Sequence, residues 1–206
     1  MPHKRNPIVY VVDDEDVVRE AVKWLLSSVE IDVRGCASAN EFLEIYEAGR
    51  PGCLILDVRM PGMSGVELHD QLIAWKDPIP VIFLTAHGDI PMAARAMAAG
   101  AVQFFEKPFN NQALLDAVQH AVAQSRKTIE TANRHRDIQA RIDSLSKRQR
   151  QILGLIVDGT TNRTIAETLG ISPRTVEVHR AKIMEKMSVS SVAGLVRQVV
   201  EIGLSS

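Results

Sequence analysis

Asp13 and Asp14 follow the apolar run 8–12, Asp57 follows the run 53–56, Thr85 follows 81–84, and Lys107 stands just beyond 101–105. Each side chain therefore sits where a buried strand ends and chain direction changes. Carboxylates brought to one edge repel each other unless protons or a cation compensate, and an all-oxygen ligand set favours a hard ion such as Mg²⁺. A carboxylate beside such an ion is also a nucleophile toward a phosphoryl group, giving an aspartyl phosphate. The Thr85 hydroxyl and the Lys107 ammonium suit phosphoryl oxygens, one as hydrogen-bond partner and the other as neutralising cation. Taken singly, each feature is ordinary. An Asp pair after a strand is most often a solvated loop, a strand-end Thr is usually structural, and a Lys before Pro is usually a surface turn. It is their joint placement at the ends of different strands that suggests a reaction.

Such convergence requires one sheet. Apolar runs at 8–12, 53–56, 81–84 and 101–105, with a weaker one at 31–34, are separated by stretches of helical spacing at 17–29, 41–47, 66–75 and 92–99 and a long one from about 112. The runs are continuous rather than alternating, as in strands buried on both faces of a parallel sheet. The first half thus reads as an α/β fold, a five-stranded doubly wound parallel sheet. In the flavodoxin-like order 2-1-3-4-5, strands 1 and 3 are neighbours at the topological switch point, where ligands bind at carboxyl ends. Asp13, Asp14 and Asp57 would meet there.

The 206 residues are too many for one small core. Residues 1–125 carry 10 basic and 17 acidic side chains, net −7, and residues 126–206 carry 14 and 8, net +6. An acidic half joined to a basic one points to phosphate partners for the second and another task for the first. Cys36 and Cys53 are the only cysteines, and Cys53 lies inside an apolar run, so no disulfide is expected. Lys4 and Arg5 precede an apolar run too short for a signal-peptide core, and no segment approaches the roughly 20 apolar residues of a membrane span. The expectation is a cytoplasmic protein without membrane contact.

From 111 to 145 there is neither Gly nor Pro, and apolar residues recur at mixed helical spacings, which predicts an extended helix that becomes a linker. After it come short helices with marked ends. Ser146 and Gln149 have capping-box spacing, Gly159 closes that helix, Thr161 caps the next, Gly170 stops it, and Ser172 caps a third with Pro173 at its first position. A fourth runs from 192 to about 202. Helix, tight turn and helix is the helix-turn-helix pattern, here in an all-α four-helix domain. Its third helix places Val176, His179, Ile183 and Met187 on an apolar stripe and presents Arg174, Thr175, Glu177, Val178, Arg180 and Lys182 elsewhere. Such a helix fits a major groove, with Arg163 on the preceding helix suited to phosphates. The domain limits read as 1–123, a helical linker 124–143, and 144–206.

Residues 7–123 resemble a receiver domain. The resemblance rests on Val11-Val12-Asp13-Asp14-Glu15, on the stretch from Leu56-Asp57 through Arg59-Met60-Pro61-Gly62 to Gly65, on Thr85-Ala86-His87-Gly88-Asp89, and on Phe104-Phe105-Glu106-Lys107-Pro108-Phe109. It implies that Asp57 is the phosphoacceptor, and that Asp13, Asp14, Asp57 and the backbone carbonyl of Arg59 hold Mg²⁺. It further implies that Thr85 and Phe104 form a switch pair, that Lys107 binds the phosphoryl group and precedes a cis proline, and that Gly65 serves the turn before the third helix. Residues 145–203 resemble the LuxR-type helix-turn-helix through Gly159-Thr160-Thr161-Asn162-Arg163 and Ser172-Pro173-Arg174-Thr175-Val176-Glu177-Val178-His179-Arg180. The combination resembles the NarL/FixJ subfamily of two-component response regulators, and most of all FixJ-like members. Candidate DNA contacts are accordingly Arg163, Arg174, Thr175, Glu177, Val178, His179, Arg180 and Lys182. Implied partners are a sensor histidine kinase, double-stranded DNA and a second copy on phosphorylation, with RNA polymerase left open. Gln149 and Gln151 stand where the family commonly has acids, and Glu177 where many members have Lys, so operator sequence does not carry over.

Two other readings compete. Haloacid-dehalogenase phosphatases also form an aspartyl phosphate, but they need a second Asp two residues after the nucleophile, and Arg59 occupies that position. A receiver that no longer accepts phosphate is the other, against which the full set Asp13, Asp14, Asp57, Thr85 and Lys107 argues. The chain is read as a phosphoacceptor, with at most self-phosphorylation and self-dephosphorylation chemistry, and not as an enzyme.

Overall fold

A computed structural model describes residues 6–27, 29, 31–86 and 90–203. Lys4, Arg5, Ser28 and the motif residues His87, Gly88 and Asp89 lie outside the described residues. The chain forms two compact units, Met1–Glu130 and Thr131–Ser206.

In the first unit β1 (Ile8–Val12), β2 (Asp32–Cys36), β3 (Gly52–Asp57), β4 (Val81–Thr85) and β5 (Gln103–Glu106) alternate with α1 (Asp16–Ser27), α2 (Ala39–Ile45), α3 (Gly65–Ala74), α4 (Ile90–Ala98) and the start of the long α5 (Asn111–Asp143), whose last turns belong to the second unit. All pairings are parallel and the strand order is 2-1-3-4-5. Strand parity divides the core. Ile8, Tyr10, Val12, Leu54, Leu56 and Phe83 face Phe42, Leu68, Leu72 and Ala96 of α2, α3 and α4. Val9, Val11, Cys53, Ile55, Ile82 and Leu84 face Val22 and Leu26 of α1 and Leu114 and Val118 of α5. Burial on both faces explains why these strands read as unbroken apolar runs.

The edges depart from the sequence reading. β2 covers Asp32–Cys36 rather than 31–34, because it is an edge strand whose burial alternates along its length and only Cys36 is fully enclosed. β5 starts at Gln103, two residues into its apolar run. Gly100 takes φ 97° after α4 and the Ala101 N–H donates to the Ala96 carbonyl, so the run's first residue finishes the helix before the Val102 N–H turns to the Val81 carbonyl.

The second unit contains α6 (Lys147–Val157), α7 (Asn162–Leu169), α8 (Pro173–Lys186) and α9 (Val192–Glu201). Ile152, Leu153, Ile156, Ile165, Val176, Ile183, Met187, Leu195 and Val199 build its core. The caps follow the sequence. Ser146 and Gln149 form a reciprocal capping box, Thr161 and Ser172 accept from Thr164 N–H and Thr175 N–H, and Gly170 ends α7 at φ 64°. The stretch 124–143, read as a linker, is not a bare spacer. Ser125 is buried in the first unit, where its hydroxyl accepts from the Gly52 N–H at 3.1 Å, and Ile138 and Ile142 are buried in the second unit's core.

Candidate functional site

The carboxyl ends of β1 and β3 are adjacent, with Val12 in register with Leu56. Asp13, Asp14 and Asp57 consequently converge, with one carboxylate oxygen of each lying within 4.8 Å of the others. Asp13 and Asp57 are buried and Asp14 is exposed. This all-oxygen set, open on one side, has the donor chemistry that a hard divalent cation takes. Arg59, whose carbonyl the resemblance adds to the set, lies two residues beyond Asp57 with its side chain exposed.

Lys107 reaches the same place from the end of β5. Its Nζ donates to Asp13 Oδ2 at 2.7 Å and to Glu15 Oε1 at 3.3 Å, and lies 3.5 Å from Asp57 Oδ1. The Lys107–Pro108 bond is cis, and the Lys107 N–H donates to the Thr85 carbonyl at 2.6 Å. Thr85 is buried at the end of β4. Phe104 is half-buried on β5, its ring 6.5 Å from that of Phe83.

The electrostatics follow from crowding. Burial pushes the Asp57 carboxyl above its ordinary value; Lys107 pulls it back and Asp13 adds to the rise, leaving the net shift upward. Burial alone would lower the Lys107 ammonium, but Asp13, Asp57 and Glu15 outweigh it and hold it above the usual lysine value.

Gly65 has a sharper reason than a turn. A Cβ there would lie 2.0 Å from the Asp57 carbonyl oxygen and 2.9 Å from Leu56 Cγ. The N-terminus of α3 therefore packs directly on the end of β3, where Ser64 and Glu67 form a second capping box. The sequence reading missed Glu15, which shares Lys107, and Arg19, which donates to the Asp13 carbonyl at 2.5 Å. Glu15 was visible as the residue after the Asp pair. Arg19 had no such mark, because only the helical turn of α1 brings it back to the strand end.

In the second unit Ser172 and Pro173 start α8 and leave Arg174, Thr175, Glu177, Val178 and Lys182 exposed, Val178 to 50%. Arg180 is half-buried. Arg163 is exposed and paired with Glu167 at 3.1 Å, a contact worth little in water and easily exchanged for a phosphate. His179 sits less openly than most of the other candidate DNA contacts. It is half-buried and its Nδ1 is enclosed without a hydrogen-bond partner among the described residues, because it lies on the inward stripe between Val176 and Ile183. Gln149 is buried, accepts from the Ser146 N–H at 2.9 Å and receives Lys186 Nζ at 3.2 Å, so an amide fills the capping role without charge.

No helix among the described residues is long and apolar enough to cross a membrane. Residues 9–119 match the response regulator receiver domain family and residues 143–199 the bacterial regulatory proteins of the luxR family. The transcriptional regulatory protein FixJ of Azorhizobium caulinodans is 44% identical over 200 residues, covering 96% of this chain and 93% of that protein. The response regulator protein TodT of Pseudomonas putida is 44% identical over 193 residues, 94% of this chain and 85% of its own. Among solved structures, the response regulator StyR matches with TM-score 0.89 at 45% identity over 95% of this chain and 99% of its own. Full-length FixJ from B. japonicum matches with TM-score 0.57 at 37% identity, over 97% and 98%. The acidic strand ends, the capped helix-turn-helix and these matches agree, and the chain belongs to the NarL/FixJ-type response regulators, a receiver domain followed by a LuxR-type DNA-binding domain.

Proposed function

We propose that this transcriptional regulator is switched by transfer of a phosphoryl group from a sensor histidine kinase to Asp57. The observation that carries the reading is the cluster of Asp13, Asp14 and Asp57 with Lys107 bridging Asp13 and Asp57. An Asp57 carboxylate oxygen forms a bond to phosphorus while the phosphorus–nitrogen bond of the kinase phosphohistidine breaks, its electron pair returning to the imidazole. Asp13, Asp14, Asp57 and the Arg59 carbonyl would hold Mg²⁺, which would supply positive charge against the phosphoryl oxygens. Lys107 exchanges part of its contact with Asp13 for the incoming group. Thr85 turns its hydroxyl toward the phosphoryl oxygens and Phe104 repacks, which alters the face formed by α4, β5 and α5 and favours a receiver dimer.

The output is double-stranded DNA bound by α8, with Arg174, Lys182 and Arg163 on phosphates and Thr175, Glu177 and Val178 toward base edges. The chemistry extends no further than acceptance and loss of the phosphoryl group, the protein acts in the cytoplasm, and contact with RNA polymerase carries its effect to transcription. The test is incubation of the full chain with acetyl phosphate and Mg²⁺, followed by intact-mass measurement. One added phosphoryl group, lost in Asp57→Asn and without Mg²⁺, is expected; stoichiometric labelling of the Asn variant overturns the assignment.

A further inference from the structure

A cavity of about 520 Å³ is lined by residues of α3, α4 and the Val58–Met60 segment, and it is within the size range of small-molecule sites. Its wall is apolar, formed by Val58, Met60, Val66, Phe83, Met92 and Ala96. His69 also lines it, is only 5% exposed, and makes no hydrogen bond among the described residues. Its ring meets Phe83 edge to face at 5.3 Å. Its body is packed away while its ring borders the open cavity, so a hydrogen-bonding group placed there would be within its reach. Arg59 and Arg95, both exposed, also line the cavity, and neither guanidinium is engaged in an ion pair or hydrogen bond among the described residues. Asp70 is the one acid in the lining.

From this arrangement we infer that the cavity binds a small monoanion with an aromatic body, of the aromatic carboxylate class. Two methionine sulfurs and the Phe83 ring favour a flat π-system over an aliphatic chain. A guanidinium pairs with a carboxylate through two parallel hydrogen bonds, and His69 in the lining adds one further polar group. Two arginines against Asp70 leave one net positive charge, matched to a carboxylate rather than to a phosphate dianion. The cavity shares Val58 and Arg59 with the segment that follows Asp57, but His69, Arg95 and Ala96 belong to neither the acidic cluster nor the Lys107 contacts.

The test uses the full, unphosphorylated chain without Mg²⁺, so failure here is distinct from failure at Asp57. Calorimetric titration with benzoate is compared with benzyl alcohol, acetate and inorganic phosphate. Benzoate is expected to bind once per chain with a dissociation constant below roughly 1 mM, and the three controls at least about tenfold more weakly. Arg95→Gln, a surface change, should weaken benzoate about tenfold, and Ala96→Leu should remove binding by filling the space. The His69 imidazole resonances, identified by their loss in His69→Gln, should shift on saturation. Folding of each variant is checked by circular dichroism, and Arg95→Gln carries the test if Ala96→Leu fails to fold. No saturable benzoate binding to the parent, equal affinity in Arg95→Gln, or equal affinity for benzyl alcohol overturns the inference.

Discussion

Lys107 Nζ donates to Asp13 Oδ2 at 2.7 Å, a closer contact than its 3.5 Å approach to Asp57. The ammonium therefore occupies a carboxylate proposed as a metal ligand. Removing it in Lys107→Ala deepens the negative potential, so Mg²⁺ should bind severalfold more tightly while phosphorylation-dependent dimerisation falls. Allosteric couplings of about 1 to 3 kcal/mol are within reach of one such contact. Fluorescence titration with Mg²⁺ and sedimentation with acetyl phosphate check both; unchanged dimerisation would exclude Lys107 as the relay.

Asp57 has a pH signature of its own. Its folded-state pKa is raised, so the folded protein binds the proton more readily than the unfolded chain. The stabilising contribution is full below the ordinary carboxyl value and is lost as pH rises through the folded one. Ionised Asp57 is then a cost at neutral pH, and Asp57→Asn should raise the melting temperature by a few degrees, on the order expected for about 1 kcal/mol, in Mg²⁺-free buffer. The difference should shrink as pH falls toward about 4. Scanning calorimetry showing the Asn variant less stable at neutral pH would contradict this account.

Thr85 is fully enclosed at the end of β4, and its replacement by Ala removes the hydroxyl together with one methyl group. Thr85→Ala should reduce dimerisation more than it reduces phosphoryl labelling. Parallel loss of both in sedimentation and mass measurements would indicate damage at the acidic cluster instead.

On α8 the exposed cations and the exposed Val178 separate affinity from preference. Arg174→Ala or Lys182→Ala should weaken binding to all duplexes and lower the salt slope by about one. Val178→Ala or Thr175→Ala should change discrimination between operator and random duplex by roughly 1 to 3 kcal/mol. Fluorescence anisotropy at two salt concentrations distinguishes the outcomes, and identical affinity for every duplex would leave only a basic helix.

Ile183 is fully buried in the second unit, and Ile183→Ala should destabilise that unit by about 2 to 5 kcal/mol. Its hydrogen-exchange protection should fall while that of β1 and β3 is retained. Equal loss in both units would mean that they unfold together.

Much of this architecture was legible because it is written in patterns with a single physical origin. Runs such as 53–56 are apolar throughout only when both sheet faces are covered, and Asp57 at such a run's end has one place to go. Ser146, Thr161 and Ser172 announced helix starts because a side-chain oxygen must satisfy orphan N–H groups there. What escaped lies in partners separated in sequence. Nothing around Ser125 marks it as the acceptor for Gly52 N–H, and His69 reads as one more polar residue on α3 until Phe83 is placed against it. His179 was ambiguous for a different reason, since a histidine on an amphipathic helix suits either face.

Gly65 gives the acidic cluster a vulnerability unlike that of its charged members. With the Asp57 carbonyl only 2.0 Å from where a Cβ would stand, one added carbon has no room without moving the β3 terminus itself. Gly65→Ala would alter no charge and delete no ligand, yet it would tilt the floor on which Asp57 stands. The site is thus guarded by an empty volume as much as by its carboxylates, and a methyl group is enough to trespass on it.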